Sequence, residues 1–536
     1  MEELYGAFYI TPEFTRSFKG CRTAGFLFGQ DYKTGKLTIS GSRSQYRGAN
    51  DWLADYFGLP TDFKSTVMFK PRVSNFLVDL GLYLGLDEIV PGAYFRIHAP
   101  IVYSRWEMKV CENVSDPGTN DYDMGYMWTN TIKRSELPNK FSESAITGCF
   151  TWGDMQDSLK YTKITPSCCV RSKTRLSDIQ VAIGWNFIQE EDRHLGFHIL
   201  GGFPTGGKRC CEYMFAPVIG NGGHFELGAG LTSSSRLWMS DDEERSAWVY
   251  LDANLAHLFK RKLFRTFELK DKPNSRYMLV QEMKSTAENL YVVGTETELS
   301  EYQYNEKLLP LANISTCCTD VSVALQGEMS VKFAFNNGNW SLDLGYNLWG
   351  RTGEKVCKGC PIPEKKYALK GDALLYGWNS SDSSLRSALG ATESEADIHA
   401  GTNTPITSPY VPWPSATDPK NSGVDSPALA NYSIAGPALV YLQGVALETV
   451  TSVQTTLNGG HKFLSCDSLN TCKTPAALSH KVFGHINYAW TEDRDEDEWI
   501  PFLGLGGEVE FSGKVKDQYG ALYQWGVWVK GGMAFD

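Results

Sequence analysis

Residues 321–349 read VSVALQGEMSVKFAFNNGNWSLDLGYNLW. Val321, Val323, Leu325, Gly327, Met329, Val331, Phe333 and Phe335 alternate with Ser322, Ala324, Gln326, Glu328, Ser330, Lys332 and Ala334. A two-residue period of this kind puts one set on each face of a β-strand. Asn336, Asn337, Gly338 and Asn339 supply turn residues, after which Leu342, Leu344, Tyr346 and Leu348 alternate with Ser341, Asp343, Asn347 and Trp349. The stretch therefore predicts a hairpin. Strands of soluble sheets run to about five or six residues, and these are longer. About 9 to 11 tilted residues cross a bilayer, and each strand has one apolar face and one face carrying charge and glycine. The pair predicts two spans of a transmembrane β-barrel.

Composition agrees with that reading. The longest apolar stretch, 434–447, is broken by Gly436, Pro437, Gln443 and Gly444 and falls short of the roughly 18 residues a spanning helix needs. Glycine at 51 residues and aromatics at 13% suit strands with aromatic girdles and a polar interior. A net charge of −11 argues against nucleic acid as partner, because that binding rests on clustered basic residues. Met1, Glu2, Glu3 and Leu4 show no element of a signal peptide and read as a mature or re-engineered start.

The alternation recurs along the chain as one barrel domain, 1–536. Gly6, Phe8, Ile10 and Phe14 oppose Tyr5, Tyr9, Thr11 and Glu13 in a first strand over 4–18; Phe76, Val78, Leu80, Leu82 and Leu84 oppose Asp79, Gly81 and Tyr83 in a second over 65–86. Further strands follow at Phe95 to Val102, Ile179 to Phe187, Leu195 to Ile199, Phe225 to Arg236 and Val249 to Leu255. After the 321–349 hairpin come two strands flanking the acidic turn 492–498, and a closing strand over 521–535. The expected total is twelve, with fourteen if an extra pair lies in 431–465. Short helices are expected at 51–59 and 152–160. Long connections fall at 109–176, 262–320 and 352–479, always on the same side, and short turns on the other. Even strand number, short turns on one side and long loops on the other resemble the outer-membrane porins of Gram-negative bacteria. The resemblance is one of architecture across the whole chain, down to a closing strand with an aromatic near its end, Phe535. It implies an outer-membrane location, short periplasmic turns, long extracellular loops and membrane lipid as surroundings.

All thirteen cysteines fall in connections on the long-loop side and none in an expected strand: ten in the three connections just named, Cys21 after the first strand, and Cys210 and Cys211 after the fifth. Cys111, Cys149, Cys168, Cys169, Cys210, Cys211, Cys317, Cys318, Cys357, Cys360, Cys466 and Cys472 are candidates for disulfides that staple loops over the mouth, and Cys21 completes the set. Adjacent pairs such as Cys168 and Cys169 would each link to other segments, and an odd total leaves one thiol free or joined to a neighbouring molecule. Buried free thiols, or Cys357 and Cys360 as half a zinc site, are the alternatives.

No cofactor or metal is expected, since the histidines lack ligand spacing. Ser233, Ser235 and His257 share the outward phase and raise an outer-membrane lipid hydrolase, but their offsets along the two strands do not align, and no nucleophile elbow occurs. The chain is therefore not expected to be an enzyme. The inward phase carries the pore-lining candidates Arg96, His98, Asp178, Glu226, Arg236, Asp252, Glu328, Lys332, Asp343, Arg351 and Lys530, with Glu13, Asp79, Lys260, Lys481, Glu508 and Glu510 beside them. Opposed charges in a wet bore filter ions and dipolar solutes. The expected function is a channel for passive diffusion of small hydrophilic solutes, with a slight acidic excess favouring cations. The alternative is a disulfide-linked surface or adhesion barrel, joined to neighbours or a homo-oligomer, with little conductance.

Overall fold

In the computed structural model, twelve antiparallel strands close into a barrel. The structure describes residues 5–535 except 30–32, 43, 45–46, 49, 123–131, 166–168, 209, 292–297, 358–361, 472–474, 492–498, 517 and most of 371–462. Cys168, Cys360, Cys472, the acidic turn 492–498 and nearly all of 431–465 lie outside the described residues. The strands are β1 (Gly6–Phe18), β2 (Arg72–Gly85), β3 (Ala93–His98 and Ile101–Glu107), β4 (Arg171–Leu176 and Ile179–Glu190), β5 (Arg193–Phe203) and β6 (Glu226–Met239). They continue as β7 (Arg245–Thr266), β8 (Thr316–Asn337), β9 (Trp340–Arg351), β10 (Ala477–Ala489), β11 (Ile500–Ser512) and β12 (Tyr523–Phe535). Each pairs with its sequence neighbours, and β1 closes the ring on β12, from Gly6 opposite Phe535 to Phe18 opposite Tyr523. β3 breaks at Pro100, which has no N–H to give to the ladder; its carbonyl accepts the Ser177 amide at 2.7 Å where β4 also breaks.

The two faces of the barrel decide what surrounds it. Outward residues are widely exposed, among them Leu344 at 62%, Ile183 at 61% and Leu505 at 58%. A belt of this extent around a closed sheet has no partner in water and fits lipid. Trp185, Trp238, Trp340, Trp490 and Trp499 are exposed near the short-turn rim. Near the other rim Phe203, Phe225 and Phe259 form a chain with ring centroids 5.7 and 5.6 Å apart. Trp525 and Phe535 bracket the belt on β12; ten residues at about 3.3 Å each, tilted by about 40°, span about 25 Å, the height of such a belt. Facing the bore, a small buried apolar cluster joins Ala182, Leu200 and Ala256, amid a lining that includes Arg96, Asp178, Glu226 and Asp252. This is a membrane-spanning barrel of the outer-membrane type, whose interior holds a cavity with charged and polar lining in place of two sheets around an apolar centre.

The hydrophobic core sits instead in the long connections. A four-stranded sheet of Lys36–Ser40, Trp52–Leu53, Lys64–Phe69 and Val110–Asp116, and a three-stranded one of Leu279–Tyr291, Glu298–Pro310 and Tyr367–Leu369, form a folded cap. Trp52, Phe57, Phe63, Phe69, Phe141 and Tyr277 are buried within it. In place of the helix expected over 51–59, Trp52–Leu53 joins a sheet and only Ala54–Phe57 makes a 3-10 turn, stopped by Gly58 at φ 69°. The helix expected over 152–160 is absent; Trp152 and Met155 bond each other's backbones in a tight turn. An unexpected α-helix, Gly20–Phe28, begins where Lys19 takes φ 55° and ends β1.

Four further expectations are corrected. β7 and β8 continue beyond the belt, and β-bulges shift their register between Ala256 and Leu258 and again between Leu258 and Arg261. A one-residue slip exchanges the faces, so Val321 and Val323, expected toward lipid, are fully buried. Lys260, expected inward, is exposed at the same bulge and pairs with Asp320 at 3.4 Å. The cysteines are not confined to irregular loops, because Cys317 and Cys318 belong to β8, Cys111 to Val110–Asp116, Cys357 to Glu354–Cys357 and Cys21 to the helix. Among the described cysteines no disulfide is formed. The Cys211 thiol instead bonds the Phe264 carbonyl at 2.8 Å, and Cys466 Sγ accepts the Ile362 amide at 3.3 Å.

Candidate functional site: the barrel lumen

The bore holds a cavity of about 880 Å³. Its width depends on a recurring pair of residues. Tyr9 lies flat over Gly81, Tyr94 over Gly184, Phe483 over Gly345 and Trp528 over Gly506, and none of these glycines has room for a Cβ. In every case the glycine is the ring's directly paired cross-strand partner. A ring laid against the wall occupies the glycine's missing side chain, so large aromatics line a twelve-strand barrel without closing it. That size lies between the filled eight-strand bore and the open sixteen-strand one, and flattening the rings preserves the space.

Of the eleven candidates named from sequence, Arg96, His98, Asp178, Glu226, Asp252, Glu328 and Lys530 line the cavity. The other four sit elsewhere. Lys332 and Asp343 pair at 3.2 Å, with Lys332 4.5 Å over the Tyr250 ring. Arg236 lies 5.8 Å from the Trp248 ring. Arg351 reaches Glu354 at 3.2 Å, beyond the end of β9. The two-residue period gives a residue's phase but not its depth along the bore.

Polar groups in the cavity are held by their neighbours. Arg96 donates to Asp252 at 3.3 Å, Asn254 Nδ2 donates to the same carboxylate at 2.7 Å, and its Oδ1 lies 2.7 Å from His198 Nε2. His98 lies 3.2 Å from Asp79 and 3.2 Å from the Tyr9 hydroxyl. Lys530 rests 4.2 Å over the Tyr9 ring, a cation–π contact. Asn347 donates to Glu328 at 2.7 Å. The cavity wall therefore carries the acidic side chains Glu13, Asp79, Asp178, Glu226, Asp252 and Glu328 against the basic Arg96 and Lys530, six to two.

Asp178 has a second task. Its carboxylate accepts the amides of Gly206 at 3.1 Å and Asn221 at 2.6 Å, and Asn221 Nδ2 donates to Glu226 at 3.1 Å. These bonds seat the 204–225 connection where β5 and β6 stop and the upper segment of β4 has no partner on that edge. Asp178→Ala is expected to leave both amides unpaired at a cost of about 1–3 kcal/mol. Hydrogen exchange at Gly206 and Asn221 should accelerate while His198 and Leu200 within β5 stay protected; unchanged exchange would show that the connection is held otherwise.

The hydrolase constellation does not assemble. Ser233 pairs with Leu251 and Ser235 with Val249, whereas His257 stands opposite Leu227. A serine–histidine contact that sequence reasoning missed lies inside, where His194 Nδ1 is 2.5 Å from Ser234 Oγ and Nε2 is 3.2 Å from Thr232 Oγ1. Ser234 is buried, and the two hydroxyls occupy both ring nitrogens, so the histidine ties β5 to β6.

No family model matches this chain, and no curated protein does. Among solved structures it is similar to an outer membrane channel from Pseudomonas putida F1 at 6% identity, covering 99% of this chain and 96% of that one with a TM-score of 0.33. It is also similar to the transport unit of the autotransporter AIDA-I from Escherichia coli at 8% identity, covering 100% and 91% with a TM-score of 0.29. A Pseudomonas aeruginosa FadL homologue matches at 6% identity, covering 100% and 91% with a TM-score of 0.27. Scores this low leave the fold to rest on the strand pairing and lipid-facing belt described above.

Proposed function

We propose that this barrel works in a bacterial outer membrane as a channel for passive diffusion of small hydrophilic solutes, with a preference for cations. The observation that carries the reading is the cavity of about 880 Å³ in the lumen, whose wall has four more acidic than basic side chains, six less two. An interior of this kind solvates polar solutes and focuses a negative potential on them. Aromatic rings lying flush with the wall add apolar faces without removing the polar groups, which suits solutes with both kinds of surface. The short turns, on this reading, face the periplasm and the cap faces outward.

A second reading, a surface or adhesion barrel with little conductance, draws on the folded cap with its own core. Planar-bilayer recording separates the two. Discrete open steps, with a zero-current potential of cation-selective sign in a potassium chloride gradient, are expected for the channel. A silent bilayer after verified insertion would end that reading in favour of the second.

A further inference from the structure

The outer surface of β1 to β4 changes character along the barrel axis. Register places Pro12, Val78, Ile101 and Leu176 in one outward row and Phe14, Phe76, Tyr103 and Thr174 in the next toward the cap. The row beyond is Arg16, Ser74, Arg105 and Ser172, and past it Arg72 stands opposite Glu107. The face thus passes from apolar, through the 40%-exposed Tyr103, to basic within a few residues. Glu107 receives Arg72 at 2.5 Å, Arg105 at 2.6 Å and Lys109 at 3.7 Å. With Arg16 the patch holds four cations against this one carboxylate, a net of +3. The Arg105 and Lys109 side chains remain 48% and 41% exposed.

The patch has direction. At the opposite rim the short turns carry Asp87 and Glu88, Glu190 to Asp192 with Arg193, and Asp241 to Glu244 with Arg245, acidic side chains in excess. An excess of basic charge next to the belt is therefore a property of this patch at the cap end and not of those turns. A cationic surface directly above an apolar one matches a ligand with an anionic head and hydrocarbon tails. Adjacent strands are about 4.8 Å apart, so Arg16 and Arg105, two strands apart, can grip charges separated by about 10 Å.

We propose that the outward face of β1 to β3 at the cap end docks phosphate-bearing lipid headgroups of the surrounding leaflet. Arg16, Arg105 and Lys109 meet the phosphates, Glu107 fixes the arginine orientation, and the acyl chains lie over Phe76, Tyr103 and Ile101. The proposal rests on the membrane-spanning reading but not on conductance.

The test is native mass spectrometry of the full chain in detergent, titrated with lipid A carrying two phosphates, dephosphorylated lipid A, or phosphatidylethanolamine. Bound bisphosphorylated lipid A is expected to exceed the other two. The triple variant Arg16→Ala, Arg105→Ala, Lys109→Ala should weaken it roughly hundredfold, from about 1 kcal/mol per basic residue. Arg16→Lys with Arg105→Lys should retain binding. Retarded migration on unboiled gels verifies that each variant is a folded barrel. Equal binding of dephosphorylated lipid A, or a folded triple variant that binds like the parent, would overturn the proposal. A barrel electrically silent in bilayers that still shows phosphate-dependent binding would sink the channel reading and uphold this one.

Discussion

Leu505→Arg is expected to destabilise the barrel in a bilayer by about 2–4 kcal/mol, the cost of an arginine on the lipid face near the midplane. Leu505 lies in the middle of β11, is 58% exposed, and has Ile486 of β10 and Val529 of β12 as its direct partners on the outward face. The discriminating power comes from that exposure. In a water-soluble protein, a substitution at so open a site changes stability within about 0.5 kcal/mol. Pairing it with Ile486→Arg on the adjacent strand should prevent folding into vesicles altogether, because two neighbouring guanidinium groups cannot both reach the interface without distorting the bilayer. Folding into vesicles, followed by protection from protease and by gel mobility before heating, reads the effect. Wild-type yields of folded double variant would mean that the belt does not face lipid.

The reason the barrel could be read from residues alone is that side-chain period and face are locked together in a strand. Once Val331, Phe333 and Phe335 are assigned outward, Lys332 and Ala334 must point inward, and the same rule places Arg96, Asp252 and Lys530 in the lumen. The rule fails wherever the ladder gains a residue. At the bulges near Leu258 the two-residue count in β8 continues unbroken through Val323 and Val321, but the face it marks has changed from lipid to interior. Nothing in the local sequence announces that shift, since the apolar alternation is the same on both sides of it. The cap was illegible for a different reason. Trp52, Tyr56, Phe57 and Phe63 come from short segments buried on every side, so they show neither a two-residue nor a helical period. The flat ring-on-glycine pairs join residues from different strands; glycine in the inward phase was visible, but the ring that covers it depends on register.

Replacing Glu13 and Glu328 by lysine is expected to abolish the cation preference of the channel. The cavity wall then changes from six acidic and two basic side chains to four of each, and the acidic excess that holds cations in the bore disappears. Lys530→Glu should act in the opposite direction, making the balance seven to one and sharpening the preference. Glu13 has Lys481 and Glu508 in its electrostatic surroundings, and Glu328 accepts from the Asn347 amide, so neither substitution removes the acceptor that seats the 204–225 connection, which belongs to Asp178. Zero-current potentials in a potassium chloride gradient measure the result directly, and unit conductance reports separately whether the bore stayed open. Because screening extends about 8 Å at physiological ionic strength, the difference between parent and variants should shrink as salt rises if fixed charge is its cause. A potential that ignores all three substitutions would mean that these side chains are neutralised within the wall and that permeating ions do not encounter them.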